Sequence, residues 1–189
     1  MQTIQQRCEE SARNFMQLAN LAPTINSAAT AIITAIGNGG KVMFCGNGGS
    51  AADSQHLAAE LMGRFLRDRA PLAAMALTTD TSAITAIGND YGYEQIFARQ
   101  LAGVGKAGDV LVAISTGGNS ANVLLAAEKA RDMGIVIIAL CGDKGGELAK
   151  MSDILINVPV TRTDLIQEMH IAVGHILCGI VEEASITAK

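Results

Sequence analysis

The stretch VMFCGNGGSAADSQHLAAEL, Val42–Leu61, decides the fold. It begins as an apolar run, breaks at glycines, and resumes at helical spacing with Asp53, His56 and Glu60 aboard. A strand that turns through glycine directly into a helix opens a β-α-β unit, and its strand reads as continuously apolar because helices cover both faces of a parallel sheet. The spacing predicts a strand over Val42–Cys45 and a helix over Ser50–Arg64.

The same pattern recurs downstream. A strand is expected near Ala73–Leu77, then a helical turn and the loop IGNDYGYEQ, then a helix from about Glu94 to Val104. GDVLVAIS reads as a strand, TGGNS as a loop, Ala121–Met133 as a helix capped by Gly134, and IVIIALC as a strand ahead of the loop GDKGG. A short strand in DILINVPV precedes a last helix in TDLIQEMHIAVGHIL. This alternation predicts an α/β fold, a doubly wound parallel sheet flanked by helices, whose ligands sit outside the carboxyl ends of the strands. Ahead of the first strand, Thr3–Ala19 sets Ile4, Cys8, Phe15 and Leu18 near one helical face, and a second apolar helix runs from about Ile25 to Ile36. An N-terminal helical hairpin over residues 1–37 is expected, within a single domain spanning 1–189. Apolar surface left over on the hairpin would meet another subunit.

Composition narrows the function classes. Hydrophobic residues make up 49% and charged residues 17% of 189 residues, which suits a buried sheet wrapped by helices. A net charge of -4 without a basic run gives no footprint for a nucleic acid. No uninterrupted apolar run reaches the length of a membrane span, so no membrane partner is expected. The cysteines Cys8, Cys45, Cys141 and Cys178 show no C-x-x-C spacing and the N-terminus has no signal-peptide pattern, so a cytoplasmic chain with reduced thiols is expected. Trp is absent and aromatics total 3%, so a small ligand must be held by hydrogen bonds and charge.

CGNGGSA and ISTGGNSAN both follow an apolar strand and open a helix, which is the chemistry of a phosphate cradle. Glycines admit the anion to the backbone, Ser50, Ser115, Thr116 and Ser120 supply hydroxyls, and the helix dipole stands in for a lysine. Gly46-x-Gly48-x-x-Ala51 meets the loose dinucleotide fingerprint, but the acidic residue due at the end of the next strand is missing and Asp80 lies too far on. No complete P-loop is present either, so no nucleotide cofactor is expected. The bland reading is a pair of strand-to-helix turns with Gly and Ser as caps, and two serine-bearing loops weaken it.

His56 and Glu60 stand four apart on one helical face, a spacing more often seen in solvated surface pairs. The other two histidines, His170 and His175, lie on the last helix. Asp164-x-x-Gln167 is close to a capping box, so Gln167 could serve the helix start and His170 could lie on the surface, whereas His175 falls in an apolar stretch and needs a partner. His56, Glu60 and His175, with Gln167 as a weaker donor, would make a mixed N/O metal site. Gln167 and His175 are about 12 Å apart in helical rise, so at least one is expected to reach a neighbouring subunit's site.

CGNGGSAADSQHLAAEL, LTTDTSAITAIGNDYGYEQIF, ISTGGNSAN and IQEMHIAVGHILCGIVE together resemble the bacterial phosphoheptose (sedoheptulose 7-phosphate) isomerases of the sugar isomerase, or SIS, fold. The resemblance spans nearly the whole chain. It implies conversion of sedoheptulose 7-phosphate into D-glycero-D-manno-heptose 7-phosphate, at the entry to ADP-heptose and lipopolysaccharide core synthesis, by a homotetramer with shared active sites. Carried over by motif, Ser50, Ser115, Thr116 and Ser120 would bind phosphate, with Gly117 in the same loop; Asn47, Gly48, Gly49, Asn89 and Asp90 would line the sugar site, and Gln167 would reach it. His56, Glu60, Gln167 and His175 would hold zinc, and Glu60 and His175 would be the acid/base pair. The chain departs from many relatives at Gly117, where STGGNS replaces STSGNS and one hydroxyl is lost. The second reading is a non-enzymatic SIS-fold binding protein of the DnaA initiator-associating type, or a sugar-phosphate sensor. The resemblance sets the first of these apart by its lack of the carboxylate found here at Glu60.

Overall fold

A computed structural model of the chain describes residues 2–187. Five parallel strands, β1 (Val42–Gly46), β2 (Ala74–Ala76), β3 (Val110–Ile114), β4 (Val136–Cys141) and β5 (Ile154–Asn157), form one sheet in the order β2-β1-β3-β4-β5. The chain winds outward from β1 to β2, then crosses back to β3 on the other side, so the crevice between β1 and β3 is the switch point of the sheet.

Strand alternation sorts the core into two layers. On one face Val42, Phe44, Val110, Val112, Ile138 and Leu140 pack under α2 (Ala22–Gly37), α3 (Gly49–Met62) and α8 (Thr163–Thr187). On the other, Met43, Leu111, Ala113, Ile137 and Ala139 lie under α5 (Ile96–Val104), α6 (Ala121–Asp132) and α7 (Gly146–Met151), with α4 (Thr81–Tyr91) more loosely attached. At the base of the sheet the buried Asp109 accepts from the backbone of Lys41 and Lys106 at 2.9 Å each and from Lys41 Nζ at 2.6 Å, tying the starts of β1 and β3 together.

The N-terminal helices, α1 (Ile4–Gln17) and α2, are joined by a 3-10 turn at Leu18–Leu21. Only α2 is buried on the sheet side; α1 is pinned to the start of α8, where Arg7 meets Asp164 at 3.0 Å and Glu168 at 2.6 Å, and it leaves Ile4 and Met16 exposed. The region read as a helical turn and loop is a full helix, α4: the Asp80 carboxylate caps it by accepting from Ala83 N at 2.9 Å, and Gly92 at φ 93° stops it. The short α7 was not anticipated. The helix expected to reach Arg64 stops at Met62, and Arg69 satisfies its last carbonyls by donating to Glu60 O at 2.8 Å and Leu61 O at 2.8 Å.

α3 and α8 run side by side in the same direction. They approach closely at Gly174, where an added Cβ would stand 2.5 Å from Leu57 Cδ2, and Leu57 is itself buried. By length and mean hydropathy α8 could cross a membrane, a feature hidden from a search for unbroken apolar runs, but it is a core helix, with Leu165, Met169, Val173, Leu177 and Val181 buried along it. His170 lies on that buried side, not on the surface as the sequence suggested, because it shares a helical face with Ile166, Val173 and Leu177. Among the described residues neither ring nitrogen makes a well-formed hydrogen bond, and burial pushes the imidazole down to about 4, a looser backbone contact with Cys141 opposing it only in part.

Two outcomes follow from these contacts. The folded pKa of His170 lies below the ordinary 6.5, so the unfolded chain takes up a proton that the folded chain refuses. The resulting stability is complete above 6.5 and is lost as pH falls towards 4, by on the order of 3 kcal/mol. Urea denaturation at pH 7.5 and 5 is expected to show this slope and His170→Leu to flatten it. Gly174→Val crowds the buried Leu57 side chain and is expected to lower the unfolding free energy by about 1–3 kcal/mol, read from the same titration.

Candidate active site

The two glycine loops follow β1 and β3, the strands that flank the switch point, so the fold brings them together. They are locked by a reciprocal amide pair: Asn47 Nδ2 donates to Asn122 Oδ1 and Asn122 Nδ2 donates to Asn47 Oδ1, each at 2.8 Å. Tyr93 OH adds a donation to Asn47 Oδ1 at 3.1 Å. Asn122 is buried in the first turn of α6, and neither it nor Tyr93 was expected from sequence. Nothing local marks them, since each acts on a residue that is distant in the chain.

In the second loop Ser115 and Ser120 place their hydroxyls 3.2 Å apart, and Gly118 N donates to Ser115 Oγ at 3.2 Å. Gly118 has φ 65° and lies so close to the Gly145 backbone that a Cβ could not be accommodated. Leu148 N donates to Gly118 O at 2.9 Å and Glu147 N to Asn119 Oδ1 at 3.0 Å, so the start of α7 braces the loop. Thr116 is half-buried, Gly117 is exposed, and Ser50 is buried in the first turn of α3. The hydroxyls named from sequence thus stand at the amino ends of α3 and α6, where the helix dipoles and unpaired N–H groups favour an anion.

Two turns along α3, His56 Nε2 lies 2.8 Å from His175 Nε2 and 3.3 Å from Glu60 Oε1. The three donor atoms all fall within 4.8 Å of one another. Two imidazole nitrogens and a carboxylate oxygen are a donor set that suits zinc and leaves a position open, so the residues fit a catalytic metal ion. Asp53, one turn before His56, is half-buried with its Oδ2 unpartnered; burial raises its pKa, partly opposed by the charge of His56.

His175 therefore has the partner its apolar surroundings demanded, and it finds it within its own chain. Gln167 does not join this cluster. Its amide lies against Gly49, at the start of α3, because the two helices keep register and Gln167 precedes His175 by two turns. Nor does Gln167 act as the capping residue considered above; Asp164 is engaged by Arg7 and Arg162 instead. Asn89 and Asp90 sit in the last turn of α4, not in a loop, exposed, and their amide and carboxylate bond to each other at 2.8 Å. The nearby Tyr93 connects this corner to Asn47.

The chain is similar to known proteins in both sequence and fold. The SIS domain family matches residues 8–142. The chain is 59% identical over 177 residues to the phosphoheptose isomerase of Rhodospirillum rubrum, covering 94% of each chain, and 56% identical to that of Akkermansia muciniphila, covering 90% of each. Among solved structures it is similar to the phosphoheptose isomerases of Neisseria gonorrhoeae (TM-score 0.89, 46% identity, 96% of this chain and 100% of that one) and Francisella tularensis (TM-score 0.92, 42% identity, 95% and 96%). With fold and sequence in agreement over nearly its whole length, the chain belongs to the SIS-domain family and, within it, to the phosphoheptose isomerases, which are aldose-ketose isomerases.

Proposed function

We propose that the chain interconverts sedoheptulose 7-phosphate and D-glycero-D-manno-heptose 7-phosphate at the entry to ADP-heptose and lipopolysaccharide core synthesis, in the cytoplasm, as a homotetramer with shared active sites. The observation that carries this reading is the juxtaposition of Glu60, His56 and His175 two turns beyond the glycine loops. It also separates the enzyme from the non-catalytic binding protein, whose resemblance implies no carboxylate at Glu60.

In this reading the ester end of the sugar lies among Ser50, Ser115, Thr116, Gly117 and Ser120. Asn47, Gly48, Gly49, Asn89, Asp90 and Gln167 line the path of its hydroxyls. Ser50 and His56 are about 9 Å apart along the helix axis, a span that an open-chain heptose phosphate bridges with its carbonyl end at the cluster.

The isomerisation moves a proton between neighbouring carbons through an enediol, and this needs a base, an acid and stabilisation of oxyanion character. The Glu60 carboxylate takes the proton from C1, while the His175 imidazole supplies a proton to the carbonyl oxygen at C2. Glu60 then returns the carbon-bound proton to C2 and His175 recovers the O1 proton, leaving the aldehyde at C1. His56, Glu60 and His175 would hold zinc, which when bound supplies Lewis-acid polarisation of the carbonyl without redox chemistry. Within one chain Gln167 is kept at the glycine loop, so its place in the zinc set is filled from a second copy. α1 and α2, with Ile4 and Met16 exposed, are the proposed contact between subunits, each chain being one SIS domain.

A direct assay tests the reading. Purified protein is expected to turn over sedoheptulose 7-phosphate, to lose activity with a chelator and regain it with zinc, and Glu60→Gln is expected to cost about 10²–10⁴-fold in kcat. Turnover unchanged in Glu60→Gln removes the base assignment; absence of turnover in the metal-replete wild type favours the binding protein. Gly117 offers a second test, since a Cβ there meets nothing within 4 Å. Gly117→Ser is expected to fold normally and to lower KM by about threefold to tenfold through a new hydroxyl donor to the phosphate, measured by steady-state kinetics.

A further inference from the structure

The segment that follows α3 has no regular secondary structure, yet its backbone is held by a buried carboxylate. Glu182, 2% exposed, accepts from the N–H groups of Phe65 at 2.8 Å, Leu66 at 2.7 Å and Arg67 at 3.0 Å. Arg69 approaches the same carboxylate at 3.2 Å, both side chains being 3% exposed, while its guanidinium also caps the end of α3 through Glu60 O and Leu61 O. A buried charge costs desolvation that only a full set of hydrogen bonds offsets, so this arrangement is expensive unless the segment has to be held in one place.

What is held there is the ring of Phe65. It stacks on the imidazole of His175 with centroids 5.5 Å apart and planes 27° apart, while His56 meets the same imidazole edge-on at 5.0 Å. Phe65 also lies over Gly179, one turn further along α8, with Cε1 3.6 Å from where a Cβ on that glycine would stand. His175 and Glu182 are two turns apart on the α8 face that meets α3 and this segment, so one helix presents both the imidazole and the carboxylate that fixes its aromatic neighbour.

We propose that Phe65, locked by Glu182, is a positioning residue: it restrains the ring rotation of His175 so that Nε2 stays aimed at His56 and Glu60. This rests on the catalytic reading of His175 given above. The partly exposed imidazole is otherwise held through its contacts with His56, at Nε2 and edge-on, and a displacement of about 1 Å at a reacting group can cost on the order of 10²-fold in rate.

Kinetics and NMR test it together. Phe65→Leu keeps apolar volume but removes the flat ring; kcat is expected to fall about tenfold or more while KM stays within about twofold, with the thermal midpoint little changed. Phe65→Tyr is expected to restore kcat. In the wild type, the ring protons of His175 are expected upfield of those of His56 through the ring current of Phe65, and Phe65→Leu to abolish the shift. Wild-type kcat in Phe65→Leu alongside an inactive His175→Ala overturns the proposal. So does an unshifted His175 ring in the wild-type protein, a readout that does not depend on any variant folding. A fully active His175→Ala overturns the underlying catalytic reading instead, and the NMR shift then shows whether the stacking persists without that role.

Discussion

The parallel packing of α3 on α8 governs the rest of the site. With the close approach at Gly174 and Leu57, residues of the two helices meet in a fixed order: Gly49 with Gln167, His56 with His175, and beyond them the post-helix segment with Glu182. Each pair depends on the same separation of helix axes. A side chain at Gly174 would act on all three, because rigid helices transmit a displacement along their length and do not absorb it locally.

The sheet supplies the second constraint. Its order changes direction between β1 and β3, and only there can two strand-to-helix loops open onto one crevice without a crossing connection. The Asn47 and Asn122 amides bridge that crevice, each side chain donating to and accepting from the other. Partly buried polar pairs of this kind fix geometry because the loss of one partner leaves the other, here the buried Asn122, unsatisfied. The glycine loops are therefore held in place before any ligand arrives, which favours preorganised recognition over recognition that must order a loop.

Much of this was legible in the sequence, for physical reasons that can be named. β1 and β3 are buried on both faces and read as unbroken apolar runs, and the glycine-to-helix transitions after them are local events with local signals. The sequence also singled out His56, Glu60 and His175, but it could not say that His175 meets the first two within one chain, since that depends on the register of two helices. It misjudged His170, because adjacent faces of an apolar helix differ only in what packs against them. α4 was hidden by Asn, Asp and Gly near its end, residues that suggest a turn, although here a side-chain cap and one positive-φ glycine bound a helix. Phe65, Tyr93, Asn122 and Glu182 went unnoticed because their importance lies wholly in contacts made far along the chain.

That α3 begins at the first glycine loop and carries His56 about two turns and Glu60 about three turns later turns the helix into a molecular ruler. In the proposed reading, the separation of the phosphate end from the proton-transfer end would be written in residue count at about 1.5 Å each, with no flexible joint within the helix to shorten it. Discrimination among ketose phosphates by chain length would come from the backbone itself, with no side chain assigned to measure it: a sugar one or two carbons shorter, once gripped by its ester, would leave its carbonyl short of the groups that act on it.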